Sequence, residues 1–328
     1  MKISLVKRML QHCHKASQNV VIWGPPGIGK TTIVEEYAES TDMPLIYADA
    51  PLMDLLDLKG ALSVKNEEAK FLPLSMWPKE TDDPVIILID ELPQAVPAIQ
   101  NGFSKLLLRN EIGGTKLPKG SFVVATGNRQ EDRAATHRMP SHITNRVMHI
   151  NLDINAEDWL NWATQNGVDN RIIAFGHFRQ EMLYNFDPDK AQKPYATYRS
   201  WSNLSEWLQT NPDPDLLYEG AAGEVGEAAA VEFTAFLRLY QDLPDPLEVL
   251  KNPNAVQIPT NLGALYALTT ALATHVTKET AENFFIFANR LEPEFSVMMV
   301  KTANASFDGL QKAKGFSNWC INYQDIIL

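Results

Sequence analysis

The stretch VVIWGPPGIGKTT, residues 20–32, decides the fold. Val20–Trp23 is a short apolar run that reads as a buried strand. The string from Gly24 to Thr31 follows the order G-x-x-x-x-G-K-T, and Thr31–Glu39 has the spacing of an amphipathic helix. A phosphate site needs this order. Gly24, Gly27 and Gly29, spaced by Pro25, Pro26 and Ile28, let backbone N–H groups turn inward, and the helix N-terminus adds the positive end of its dipole. Lys30 would then reach the β- and γ-phosphates of a nucleotide, the Thr31 hydroxyl would ligate Mg²⁺, and Thr32 would extend the binding turn.

Working outward, the first half of the chain repeats the pattern. Pro44–Ala48, Val85–Ile89, Phe122–Thr126 and Val147–Leu152 are further short, nearly continuous apolar runs, as buried parallel strands are. Amphipathic segments such as Pro97–Arg109 lie between them, so residues 1–152 read as an α/β nucleotide-binding core with a parallel sheet. Beyond residue 152 the strand-like runs stop. Asp158–Gln165, Trp201–Gln209, Ala221–Tyr240, Asn261–Thr274 and Lys278–Asn289 read as helices, with proline-bearing breaks at Asn211–Asp215, Leu243–Pro246 and Asn252–Pro259. The second region therefore divides, on sequence, into a helical part at 153–242 and a helical extension at 243–328.

Composition narrows the classes. With 328 residues, 45% of them hydrophobic, the chain can bury substantial cores, and two domains with an extension are expected. No run of eighteen or more apolar residues occurs, so no membrane span is expected, and Lys7 and Arg8 interrupt what would be the apolar part of a signal peptide. Cys13 and Cys320 give no disulfide framework. A cytoplasmic location is the expectation. The net charge of −11 is uneven: residues 1–150 carry 17 Lys and Arg against 17 Asp and Glu, whereas residues 151–328 carry 12 against 23. An acidic second half repels phosphate backbones and weakens any reading in which it grips nucleic acid.

Three further segments carry chemistry. Val85–Ile89 ends in Asp90 and Glu91, which puts the acidic pair at the carboxyl end of a buried strand, where ligands of open α/β sheets sit. Asp90 would help hold Mg²⁺, and Glu91 could polarise an attacking water opposite a leaving phosphate. A solvated strand end is the bland alternative. Phe122–Thr126 runs on through Gly127 to Asn128, whose amide could reach a γ-phosphate or could simply sit in a turn. Arg129, Arg133, Arg138 and Arg146 follow within eighteen residues, and an arginine inserted from a neighbouring subunit can neutralise phosphoryl-transfer charge. Each of the four could equally be a solvated side chain. Arg199 opens a helix in the second region, either as a surface residue or as a reader of nucleotide state.

Taken together, these residues resemble an AAA+ ATPase, and within that class the MoxR-like branch. The resemblance rests on GPPGIGKT, LLDLKG at 55–60, IDELPQA at 89–95, VVATGN at 123–128, SHITNRVMHINL at 141–152 and YATYRSWSNLSEWL at 195–208, and it covers about residues 18–210. Position by position, Lys30 and Thr31 match the family's Walker A residues, Asp90 and Glu91 its Walker B pair, Asn128 sensor 1, Arg146 the arginine finger and Arg199 sensor 2. The family's finger usually stands in a D-R-F context. Here it is Asn145-Arg146-Val147, with Arg138 or Arg133 as substitutes.

The resemblance implies a P-loop NTPase core with a five-stranded parallel sheet, an all-helical lid, a C-terminal helical extension, ATP and Mg²⁺ as ligands, and a ring that is commonly hexameric. It also implies chaperone-like remodelling of a client, often one with a von Willebrand factor A domain. No metal-ion-dependent adhesion motif occurs in this chain, so that domain would belong to another polypeptide. The rival expectation is an AAA+ motor or loader acting on nucleic acid, and a third is a nucleotide-sensing scaffold, which Glu91 opposes.

The insertion Asp54–Trp77, with Phe71 and Trp77, and a hairpin expected at Gly113–Gly120 could line a ring pore. Phe71 and Trp77 could instead pack the insertion onto its own domain. His12-Cys13-His14 is set aside as a metal site because consecutive helical side chains point about 100° apart. Glu224, Glu227 and Glu232 read as a solvated face.

Overall fold

The structure is a computed structural model that describes residues 1–65, 68–132, 136–188, 193–241 and 243–327. It divides into two units, Met1–Ile154 and Asn155–Leu328.

The first unit is built on a sheet of five parallel strands, β1 (Val20–Trp23), β2 (Leu45–Asp49), β5 (Ile86–Asp90), β8 (Phe122–Gly127) and β9 (Met148–Asn151), in the order β2-β5-β8-β1-β9. Each lies within a residue or so of an expected strand. Continuous apolar sequence is what a strand covered on both faces requires, and Ile86–Ile89 and Phe122–Ala125 are fully buried. Around the sheet lie α1 (Ile3–Lys15), α2 (Lys30–Ser40), α3 (Leu55–Lys59), α4 (Pro97–Gly102), α5 (Ser104–Arg109) and α6 (Ser141–Thr144). Two antiparallel hairpins are added, β3 (Ala61–Lys65) with β4 (Glu68–Leu72), and β6 (Glu111–Ile112) with β7 (Thr115–Lys116).

Topology places the site. From β1 the chain crosses β8 and β5 to reach β2 at one edge, and from β8 it passes to β9 on the other side of β1. Connections that leave in opposite directions open a crevice at the carboxyl ends of β1 and β8. The amino ends are fixed by Asn19, which is buried. Its amide donates to Leu107 O at 2.9 Å and Asn110 Oδ1 at 2.7 Å, and its oxygen accepts from Val123 N at 3.1 Å.

Several expectations are corrected. The helix expected over Pro97–Arg109 is two, separated at Phe103 (ψ −9°), where buried Phe103 follows a glycine packed on Leu58. Within the insertion, Trp77 is buried and donates its indole N–H to Asp57 O at 2.6 Å, whereas Phe71 is half exposed. One aromatic packs the insertion down and the other does not. His14, far from a metal-binding posture, stacks on Phe122 and bonds Tyr37 Oη at 2.8 Å and Gly120 O at 2.9 Å.

Among the described residues, the regular elements of the second unit are helices: α7 (Ala156–Gln165), α8 (Asn170–Phe178), α9 (Tyr198–Gln209), α10 (Leu217–Val225), α11 (Glu227–Gln241), α12 (Pro246–Lys251), α13 (Leu262–His275), α14 (Ala281–Ala288), α15 (Pro293–Ser306), α16 (Phe316–Asn322) and α17 (Gln324–Ile327). The single helix expected over Ala221–Tyr240 is broken at Gly226. That residue has φ +83°, and a Cβ there would come within 2.5 Å of Pro194 O, so only glycine fits the turn between α10 and α11. Phe175 and Trp201 pack with Phe233 in one aromatic cluster, while Phe284, Phe285, Phe287 and Trp319 anchor another. Among the described residues, no helix is long and apolar enough to cross a membrane.

Inside this unit His177 lies beside Thr302, whose hydroxyl is 3.3 Å from Nε2. Burial pushes its pKa down from 6.5 to about 4, against a smaller opposing pull from Glu157. The folded chain therefore resists a proton that the unfolded chain accepts. The stability this represents is complete above pH 6.5 and is lost as the pH falls towards 4. Urea midpoints measured at pH 7 and pH 5 should fall less in His177→Leu than in the parent chain; equal falls would contradict the shift.

Candidate nucleotide site

At the crevice lie the loop Gly24–Gly29, Lys30, Thr31, Asp90 and Asn128, all singled out by the sequence. β1 ends at Trp23, and the chain turns at once into the loop Gly24–Gly29. Gly24 N donates to Gly127 O at 3.1 Å, and Leu152 N donates to Trp23 O at 2.8 Å, so both neighbouring strands hold the loop's entrance. A Cβ at Gly24 would meet Ile28 Cδ1 at 2.6 Å and Leu152 O at 3.0 Å. Gly27 (φ +71°) and Gly29 (φ +93°) take left-handed backbone, and Gly29 caps α2 without a side-chain acceptor. The first-turn N–H groups of α2 thus have no competing side-chain cap.

Lys30 is 8% exposed. Its ammonium donates to Gly24 O at 2.7 Å, Pro25 O at 2.9 Å and Asn128 Oδ1 at 2.8 Å. A buried cation needs that many acceptors. Because Lys30 can only donate, the Asn128 amide presents its oxygen there and turns its two N–H donors elsewhere. Asn128 is buried at the tip of β8.

Beside this pair, Thr31 Oγ1 donates to Asp90 Oδ2 at 3.0 Å. The other carboxylate oxygen accepts from the hydroxyl of Thr126, which is fully buried. Thr126 Oγ1 in turn accepts from Glu91 N at 3.1 Å. Glu91 has φ +54° and ψ +35°, a left-handed conformation that costs a non-glycine residue free energy and is held here by that contact and by Gln94 N donating to Glu91 O at 2.8 Å. Its side chain is exposed. Sequence reading missed Thr126; the signal was a hydroxyl in an otherwise apolar buried strand, which demands a partner.

The arginines divide. Arg129 donates to Leu152 O at 3.2 Å and lies 3.4 Å from Glu131 and 3.7 Å from Asp153, so its charge is met within its own unit. Arg138 and Arg146 are exposed, and Arg133 lies outside the described residues. Arg199 is exposed in the first turn of α9, in the second unit.

A hydroxyl and a carboxylate oxygen brought together beside a buried lysine and an uncapped helix start are the donor set that a magnesium–triphosphate complex requires. The comparisons agree at the level of the domain. Residues 20–147 match the model of the ATPase family associated with various cellular activities (AAA), and the five-stranded parallel sheet of the first unit has the P-loop NTPase fold. Such domains bind nucleotide and are ATPases in general, and proteins that contain them commonly assemble into rings.

Among solved structures, a mutant of RuvB from Thermotoga maritima is 14% identical over 85% of this chain and 82% of that one, with a TM-score of 0.40. NtrX from Brucella abortus is 16% identical over 65% of this chain and 52% of that one, with a TM-score of 0.39. Neither whole-chain likeness bears on function. No curated protein matches the chain.

Thr126→Val keeps the shape but strips Asp90 and Glu91 N of their shared partner. Mg²⁺-dependent ATP turnover should fall by about tenfold or more, while Thr126→Ser retains most of it. Equal rates in the two variants, measured across a magnesium titration, would contradict the link.

Proposed function

We propose that the chain is a Mg²⁺-dependent ATPase whose subunits assemble into a ring, commonly hexameric in such proteins, and use ATP hydrolysis to remodel a protein client. One observation carries this reading. Lys30, Thr31, Asp90 and Asn128 converge at the carboxyl edge of the sheet through direct hydrogen bonds.

In this reading the loop Gly24–Gly29 and Lys30, Thr31 and Thr32 bind the phosphates of ATP. Thr31 and Asp90 hold the metal. When bound, Mg²⁺ supplies positive charge to the phosphate oxygens. Lys30, once drawn from the Gly24 and Pro25 carbonyls, and the N–H donors of Asn128 would meet the same charge from the protein side. Glu91, fixed in backbone by Thr126, polarises the attacking water. Arg146 reaches from the neighbouring subunit to the transferring phosphoryl group, with Arg138 and Arg133 as substitutes, and Arg199 reports nucleotide state to the helical region. The division of that region into a lid at 153–242 and an extension at 243–328 belongs to the same proposal, as does a client that carries a von Willebrand factor A domain on a separate chain.

A nucleic-acid motor is the other AAA+ reading, and charge disfavours it. Arg129 is already paired with acidic partners, and residues 151–328 carry 12 basic against 23 acidic side chains. Turnover of the parent protein should accordingly be unmoved by DNA at physiological salt; strong stimulation would favour the motor.

Glu91→Gln should bind ATP within about threefold of the parent affinity while losing about a hundredfold or more in turnover. Parent-like turnover would overturn the mechanism. Arg146→Ala, titrated into parent rings, should depress activity more steeply than dilution; a proportional fall would remove Arg146 from the trans role.

A further inference from the structure

Trp23 closes β1 and His149 lies on β9, the strand beside it. Their rings are nearly coplanar, 4° apart, and the indole N–H donates to His149 Nδ1 at 2.8 Å. On the far side of the imidazole, Nε2 lies 2.8 Å from the backbone oxygen of Thr144. The chemistry fixes the proton. An indole N–H can only donate and a carbonyl can only accept, so Nδ1 is the acceptor and Nε2 carries the hydrogen. One neutral tautomer bridges the two.

The ends of this bridge are what give it meaning. Trp23 is followed directly by Gly24 of the phosphate loop, and its ring lies against Gly127, so that a Cβ there would come within 3.3 Å of it; Asn128 is the next residue. Thr144 ends α6, and Arg146 N closes the following turn by donating to Ile143 O at 2.9 Å. Between Asn128 and this turn lies a cavity of about 390 Å³, lined in part by Trp23, Pro93, Arg138, Thr144 and Asn145. Trp23 and Thr144 both line this cavity, so the bridge through His149 ties the arginine-bearing turn to the loop strand on its wall.

We propose that Trp23 and His149 are positioning residues that hold the Arg146 turn to the strand feeding the phosphate loop, and so set the reach of the arginine that each subunit lends its neighbour. The inference rests on the ring reading above. It assigns the pair to the donor of the arginine, not to the subunit that hydrolyses ATP.

That asymmetry is testable in mixed rings. Glu91→Gln subunits keep Arg146 but cannot turn over, and Arg146→Ala subunits keep their own site but lack the arginine. Mixing them should restore activity. Trp23→Phe added to the Glu91→Gln donor should cut the restored activity by about fivefold or more, whereas the same change in the Arg146→Ala acceptor should leave it within about twofold. Should Trp23→Phe fold poorly by thermal melting, the His149 pair reads the same bridge in the donor. His149→Asn keeps a planar acceptor and donor and retains much of the rescue, while His149→Leu loses it. Rescue indifferent to these donor changes, or equally sensitive in the acceptor, overturns the inference alone. A parental mixture that stays inactive, or an Arg146→Ala protein with full activity, overturns the ring reading and the inference with it.

Discussion

A buried ammonium group organises the first unit. Lys30 is almost fully enclosed, and a charge removed from water is tolerated only where several oxygens meet it. Two of these oxygens are backbone carbonyls of the loop itself, at Gly24 and Pro25, and the third belongs to Asn128 on another strand. The loop must therefore curl back over its own lysine. That curl requires the left-handed backbone of Gly27 and Gly29 and the close approach of Gly24 to Leu152 O. Asn128 can meet Lys30 only because β8 lies beside β1 in parallel register, Trp23 opposite Gly127.

The same edge carries a second chain of contacts, from Thr31 to Asp90 to Thr126 to the backbone of Glu91. It links two strand ends, those of β5 and β8, and the start of α2 without any long loop. Ordering so many polar groups in one crevice is unfavourable unless each finds a partner, and here the partners are one another. On the other flank, the Trp23–His149 bridge extends this rigidity to the turn that bears Arg146. Elements that would contact nucleotide and the element that would contact a neighbour are thus joined through β1.

Much of this was legible in the sequence because the deciding contacts are local. The loop lies in one run of eight residues, and its glycines, lysine and threonine are specified by spacing alone. The strands were legible because burial on both faces demands unbroken apolar runs. Asp90, Glu91 and Asn128 could be placed at strand ends for the same reason, and the structure brings them to one edge, although what each does there is a proposal. The failures are physical too. Periodicity over Ala221–Tyr240 continues straight through Gly226, and only the nearby Pro194 carbonyl reveals why the helix must break. Phe71 and Trp77 are alike in composition, yet only one finds a carbonyl and a core. Trp23 and His149 lie 126 residues apart, and no local pattern announces that strand pairing will set their rings edge to edge.

The claim on which the account turns is that the loop around Lys30 receives a triphosphate. A crystal structure of the protein with Mg²⁺ and a slowly hydrolysed ATP analogue tests it directly. The account predicts phosphate oxygens among the loop N–H groups, the Lys30 ammonium drawn from the Gly24 and Pro25 carbonyls towards them, and the metal against Thr31. Nucleotide bound elsewhere, with the Lys30 hydrogen bonds to Gly24, Pro25 and Asn128 intact, would contradict it.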